Sequence, residues 1–167
     1  MLKGRVWRVG DDISTDLIAP GRYFHLRSNL PELARHLLED VNPDLVNRIV
    51  PGDILVAGRN FGIGSSREHA PRIIKTSGIA AVVADSFSRL FFRNAINVGL
   101  PVVVCDTTGI EEGDVLEINL GLGVLTDSAR GIVRNIPPLP PVMLKILAQG
   151  GLVPYVKRRG DLAIDGD

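Results

Sequence analysis

A single cysteine, Cys105, is all the thiol chemistry this 167-residue chain carries. An internal disulfide is excluded, and the scarcity suits a reducing compartment, so a cytoplasmic location is expected. A [4Fe–4S] cluster is held by three or four thiolates, more than this chain can offer. Cys105 closes the apolar run Pro101–Val104, the setting of a buried and inert thiol. No His, Cys or carboxylate spacing suits zinc either, so no metal site is expected. No apolar run approaches the roughly 20 residues of a membrane span. The Met1–Arg8 stretch alternates polar and apolar residues and lacks the apolar centre of a signal peptide. An excess of one charge is missing too: nineteen basic residues face nineteen acidic ones, which gives nucleic acid or an anionic membrane no field to follow. With no low-complexity linker, residues 1–167 read as one domain large enough to bury a core.

What is present is an alternation of short apolar runs with helical periodicity. Strands are expected at Val6–Val9, Ile54–Ala57, Ala80–Ala84 and Val102–Cys105. Between them lie an Asp-rich loop over 10–23, a helix from about Asn29 through Pro31–Glu39, a helix over 68–77 and a helix over Arg89–Asn97. The order β-α-β-α-β predicts an α/β fold with a largely parallel central sheet. Beyond it, Val115–Ile118, Gly123–Thr126 and Ile132-Val133 read as antiparallel strands. Pro137-Pro138 then opens a helix that Gly150-Gly151 closes, and Lys157-Arg158-Arg159 reads as a solvated helix end.

The most informative stretch is Gly62-Ile63-Gly64-Ser65-Ser66-Arg67-Glu68, which follows the strand at 54–57. Its glycines let the backbone turn sharply and approach a ligand. Its two hydroxyls and guanidinium arrive together near a helix start, where an anion is favoured. Two readings compete. Ser65-x-x-Glu68 fits a capping box, a structural device. Pro71 opposes that, because a helix capped at Ser65 would carry proline past its first turn, at a cost of roughly 3 kcal/mol. A helix starting nearer Glu68 tolerates Pro71 and frees Ser65 and Ser66 for a ligand. Nucleotide motifs fail, since Arg67 stands where G-x-G-x-x-G needs its third glycine and no Gly-Lys-Ser/Thr follows.

These residues resemble the serine loop of the aconitase superfamily's mobile swivel domain. Two further stretches share the resemblance, Gly10–Tyr23 with its Thr15-Asp16 pair, and Ser86–Pro101 with its Ser-Phe-x-Arg…Arg-Asn-Ala-Ile-Asn pattern. Where that domain is a separate chain of this length, it is the small subunit of a hydro-lyase of the isopropylmalate or homoaconitase type; the alternative is a non-catalytic module that keeps the fold and uses the loop only to hold an anion. The resemblance implies a layered β/β/α fold with a mixed, partly parallel sheet. It also implies a large-subunit partner, in a heterodimer or heterotetramer, which bears a [4Fe–4S] cluster, and a small hydroxy di- or tricarboxylate substrate.

By the same resemblance Ser65 is the general base, Ser66 and Arg67 bind substrate carboxylate, Asp16 is an active-site carboxylate, and Thr15 beside it is a further substrate-binding candidate. Without the resemblance, Asp16 reads first as an Asx-turn or cap in a loop rich in Asp and Ser. The segment after Gly21 is expected to face the substrate's variable group. There Arg27 suits a distal carboxylate, while Phe24 and Leu26 suit an isopropyl group, and the sequence leaves both open. His69 is a weaker candidate acid, Glu68 reads as a helix-start residue, and His25 and His36 have no evident partners. Arg89 and Arg93, four apart on one helix, suit a partner, the cleft or plain water.

Overall fold

The computed structural model describes residues 1–159, so the last eight residues of the expected domain lie outside it. Seven strands form one mixed sheet in the order β4-β3-β2-β1-β5-β6-β7. They are β1 Leu2–Arg8, β2 Ile54–Ala57, β3 Ala81–Ala84, β4 Val102–Val104, β5 Val115–Asn119, β6 Val124–Asp127 and β7 Ile132–Asn135. Strand β1 is the seam. Its second half, Val6–Arg8, runs parallel to Ile54–Val56, and its first half, Leu2–Arg5, runs antiparallel to Val115–Ile118. This double pairing explains why β1 begins four residues before the Val6 expected from its apolar pattern.

Strands β1–β4 are mutually parallel and β5–β7 antiparallel. The parallel strands are apolar on both faces because both are covered. Trp7, Leu55, Ala57, Val82, Ala84 and Val102 face the helices. Val6, Ile54, Val56, Ala81, Val83 and Val103 pack with Leu116, Ile118 and Leu125 on the other side, where the antiparallel half curls over. The result is the layered α/β architecture expected.

Helices α4 His69–Thr76 and α5 Arg89–Asn97 connect the parallel strands. Three others are short: α1 Thr15–Ile18, α2 Leu30–Ala34 and α3 Leu45–Arg48. The 10–23 stretch is thus not a plain loop. Ser14 accepts from Leu17 N and caps α1, and a 3₁₀ helix follows over Gly21–Leu26. Helix α2 starts as expected, with Asn29 accepting from Glu32 N, but stops at Ala34 and not near Glu39. A tertiary bond wins there: Leu38 takes a positive φ of 52° and gives its N–H to Ile18 O, burying Leu33, Leu37 and Leu38 as the pattern anticipated. Helix α6, Pro141–Ala148, begins four residues later than the expected Pro137. Each proline of the 137–141 run pushes its predecessor out of helical conformation, so only the last one, at the first helical position, is compatible. Helix α7, Leu152–Arg159, carries the basic tail as its last turn. Among the described residues, no helix is long and apolar enough to cross a membrane.

Candidate active site

Three segments leave the C-terminal ends of β1, β2 and β3 side by side, where ligands of open parallel sheets bind. Their backbones continue the parallel pairing beyond the strands: Thr15 N donates to Ile63 O, Gly62 N to Ile13 O, Phe61 N to Ser86 O and Ser88 N to Phe61 O. The three stretches that share the family resemblance are therefore stitched into one surface. Phe61 is fully buried beneath it, edge-on to Phe87 and Phe91 at 5.9 and 5.1 Å. Gly62 is required here. Its φ is +82°, and a Cβ would lie 2.3 Å from the Phe91 ring.

On this base the serine loop spans 64–68 and α4 begins at His69, with Glu68 in the cap position making no side-chain cap bond. The capping-box reading is overturned. Ser65 and Ser66 are exposed loop residues, and Glu68 instead pairs with Arg72 at 3.1 Å. Thr15, buried, donates its hydroxyl to Ser65 O at 2.9 Å and fixes the loop from behind. Arg67 has three partners. Its Nε donates to Ser65 Oγ at 3.2 Å, Nη1 to Ala19 O at 3.1 Å, and Nη1 lies 3.3 Å from Asp16 Oδ1. The same Asp16 oxygen accepts from Gly21 N at 3.0 Å, so this carboxylate caps the turn while also lying beside Arg67. A Cβ on Gly21 would come within 2.9 Å of that oxygen and 3.5 Å of both guanidinium tips, so glycine makes room for the pair.

Ser65, Ser66, Arg67 and Thr15 line one cleft with Ser88, Leu90, Phe91 and Asn94. The sequence reading missed Leu90 and Asn94, though the helical period held the signal. Residues 90 and 94 share the cleft-facing side of α5, while Arg89 and Arg93 sit on the other side with Phe92, along a groove between α5 and α6.

Arg27 stands apart from the serine loop but on the same face. Its guanidinium lies 4.4 Å over the Phe24 ring and donates to Phe24 O at 3.2 Å. Phe24 in turn meets His69 edge-on at 5.8 Å. The 3₁₀ helix that carries Phe24 is clamped from behind. Tyr23 stacks on His36 at 3.7 Å, and Arg22 bonds Asp40 and Glu39 at 2.8 Å. His36 is thus a packed partner of Tyr23, which its lone position in the sequence did not reveal.

No group of three or more His, Cys, Asp or Glu among the described residues is arranged for a metal. Cys105 is buried, and burial pushes its thiol up to about 11, so it is no thiolate at neutral pH. These residues do not fit an iron–sulfur cluster.

Comparison with known proteins agrees with the fold. The family described as the aconitase C-terminal domain matches residues 35–106. The chain is 59% identical to 3-isopropylmalate dehydratase small subunit 2 of Archaeoglobus fulgidus, over 96% of this chain and 98% of that one. It is 55% identical to 3-isopropylmalate dehydratase small subunit 1 of Thermotoga maritima, over 96% and 97%. A crystal structure of 3-isopropylmalate dehydratase from Methanocaldococcus jannaschii superposes with a TM-score of 0.90 at 42% identity, covering 95% of each chain.

Proposed function

The chain belongs to the 3-isopropylmalate dehydratase small subunits, aconitase-type hydro-lyase components of leucine biosynthesis, and on that footing we propose that its serine loop supplies the base and the carboxylate grip of the reaction. Small subunits imply a large one. We assign the [4Fe–4S] cluster to that partner, because one buried cysteine here cannot hold it. The substrate pair we infer is 2-isopropylmalate and 3-isopropylmalate, interconverted by loss and return of water.

The observation that carries the reading is the Arg67 guanidinium, shared between Ser65 Oγ and Asp16. A serine hydroxyl is a weak base until its anion is stabilised. Arg67 Nε, 3.2 Å from Ser65 Oγ, provides a fixed positive donor for that anion. Asp16 and Ala19 O orient the guanidinium, and Thr15 holds the backbone that carries the serine. In the forward direction Ser65 Oγ takes the proton from the carbon beside a carboxylate. That C–H pair becomes the carbon–carbon double bond as the hydroxyl leaves the neighbouring carbon, and water then returns with the two positions exchanged. Departure of the hydroxyl is assigned to the partner, which we take to bear the cluster. Arg67 and Ser66 bind the carboxylate next to the reacting carbons. Phe24, 47% exposed, and Leu90, 41% exposed, offer apolar surface for the isopropyl group. Arg27 faces the more distant carboxylate.

The test is an anaerobic hydratase assay on the chain co-expressed with its large subunit. Ser65→Ala is expected to lower kcat by roughly 10²–10⁴-fold, the range for loss of a positioned base, with the melting temperature retained. Equal turnover in the alanine variant would remove Ser65 from the chemistry.

A further inference from the structure

His69 is the first residue of α4, next in sequence after the serine loop, and is half-buried. Its ring is edge-on to Phe24 at 5.8 Å, and Phe24 carries the Arg27 guanidinium on its face at 4.4 Å. The imidazole therefore bridges two segments that arrive separately, the 3₁₀ helix with Arg27 and the loop with Arg67. The charged groups bearing on it are Arg67, Arg27 and Glu68. Glu68 already has its own cation, Arg72 at 3.1 Å, and Arg67 has Asp16 at 3.3 Å. Arg27 has no ion pair among the described residues and bonds only its own turn, at Phe24 O. This face thus holds one uncompensated positive charge and an imidazole beside it.

We propose that His69 is a further substrate-binding residue, which takes a proton from solvent as a dicarboxylate settles against Arg67 and Arg27. The inference rests on the reading of this face as the substrate site. In the free chain, burial first, then Arg67 and then Arg27 hold the imidazole below its ordinary range, with Glu68 opposing only in part. The ring is neutral at pH 7. A dicarboxylate brings two negative charges to a face whose surplus is one positive charge. Opposite charge at close range favours the protonated ring, so proton uptake completes the match. The sign follows from linkage. Binding is tightest below the depressed value of the free ring, and weakens up to about tenfold per pH unit as pH rises toward the raised value of the complex.

The experiment uses the holoenzyme assembled with its large subunit, and measures KM and kcat for 3-isopropylmalate from about pH 5.5 to 8.5, across the histidine range. The wild type is expected to show KM rising roughly tenfold over that interval. In His69→Gln the KM is high throughout and varies by no more than about twofold, and kcat falls less than KM rises. A second measurement needs no His69 variant: calorimetry of 3-isopropylmalate binding to Ser65→Ala holoenzyme, in buffers of different ionisation enthalpy, is expected to show net proton uptake near neutral pH. Turnover with no uptake, or with parallel KM profiles in wild type and His69→Gln, overturns the role of His69 and leaves the serine loop's role standing. A loaded holoenzyme that does not turn over 3-isopropylmalate overturns both.

Discussion

Arg67 and Arg130 sit among carboxylates in the two halves of the sheet, and they are saturated very differently. Arg130, after β6 in the antiparallel half, places Nε on both oxygens of Asp114 at 2.7 and 2.8 Å and Nη2 on Glu111 at 3.0 Å. Asp127 stands 4.0 Å away. Arg67, in the parallel half, has one carboxylate at 3.3 Å, and that carboxylate is itself 64% exposed. Yet Arg67 is the less exposed arginine, 24% against 42% for Arg130. A cation withdrawn from water needs compensation, and the more withdrawn one here has less of it. Arg130 is spent on its own turn. Arg67 retains donors for an anion that the chain does not contain.

The largest expected consequence of this difference appears at Arg67. Lysine keeps the charge but has one nitrogen on a flexible stem, and cannot serve Ser65 Oγ, Ala19 O and Asp16 together. Arg67→Lys is expected to lower kcat/KM by roughly 10²–10³-fold, as does loss of one preorganised donor elsewhere. Its melting temperature should stay within about 2 °C of wild type, under one large-interaction equivalent for a chain of this size. Paired kinetic and thermal measurements check both halves. A fall in melting temperature large enough to account for the lost activity would make Arg67 a structural residue like Arg130 and erase the contrast.

How much of this was legible in sequence differs between the two regions for a physical reason. Strand β2, helix α5 and the serine loop follow from local signals: an apolar run, a helical period closed by glycine, and a proline that fixes where α4 can start. The ends that failed were decided at long range. Helix α2 stops at Ala34 because Leu38 N–H bonds Ile18 O twenty residues upstream, and β1 starts early because β5 pairs with it. Within the site, Ser65, Arg67 and Asp16 were named from motifs, but motifs do not state contacts. That Thr15 holds Ser65's carbonyl, that Leu90 and Asn94 line the cleft, and that His69 meets Phe24 come only from the crossing of separate segments. The Arg130 cluster gave no sequence signal, because its acids lie 3, 16 and 19 residues from the arginine with no motif to join them.

Arg130→Gln is the mirror of the lysine substitution, with a smaller effect. It removes the bidentate grip on Asp114 and the Glu111 contact, leaving three carboxylates around a neutral side chain. The melting temperature is expected to fall by about 2–4 °C, while kcat and KM of the holoenzyme remain within about twofold. Exposed ion pairs are individually weak, and only the shared geometry lifts this one above that level. Thermal unfolding beside a turnover assay checks it. Loss of activity at full stability would mean that the antiparallel half reaches the site.

The smallest effect expected is also the one that tests whether the Arg130 cluster is fully satisfied. Asp127 is 1% exposed and lies within hydrogen-bonding reach of Asp114. Its Oδ1 accepts from Arg130 N at 3.3 Å, but its Oδ2 has no donor among the described residues, since Arg130 Nε at 4.0 Å is too far for a hydrogen bond. A buried acceptor without a donor is a cost that the rest of the turn carries. Asn has the same shape, keeps an oxygen for Arg130 N, and turns an NH₂ toward Asp114. It also removes one negative charge from a cluster with three acids and one base. Asp127→Asn is therefore expected to raise the melting temperature, by about 2 °C at most, and to leave turnover untouched. A clear decrease would show that Arg130 needs the third charge, and that even the saturated arginine is held by the whole cluster and not by Asp114 alone.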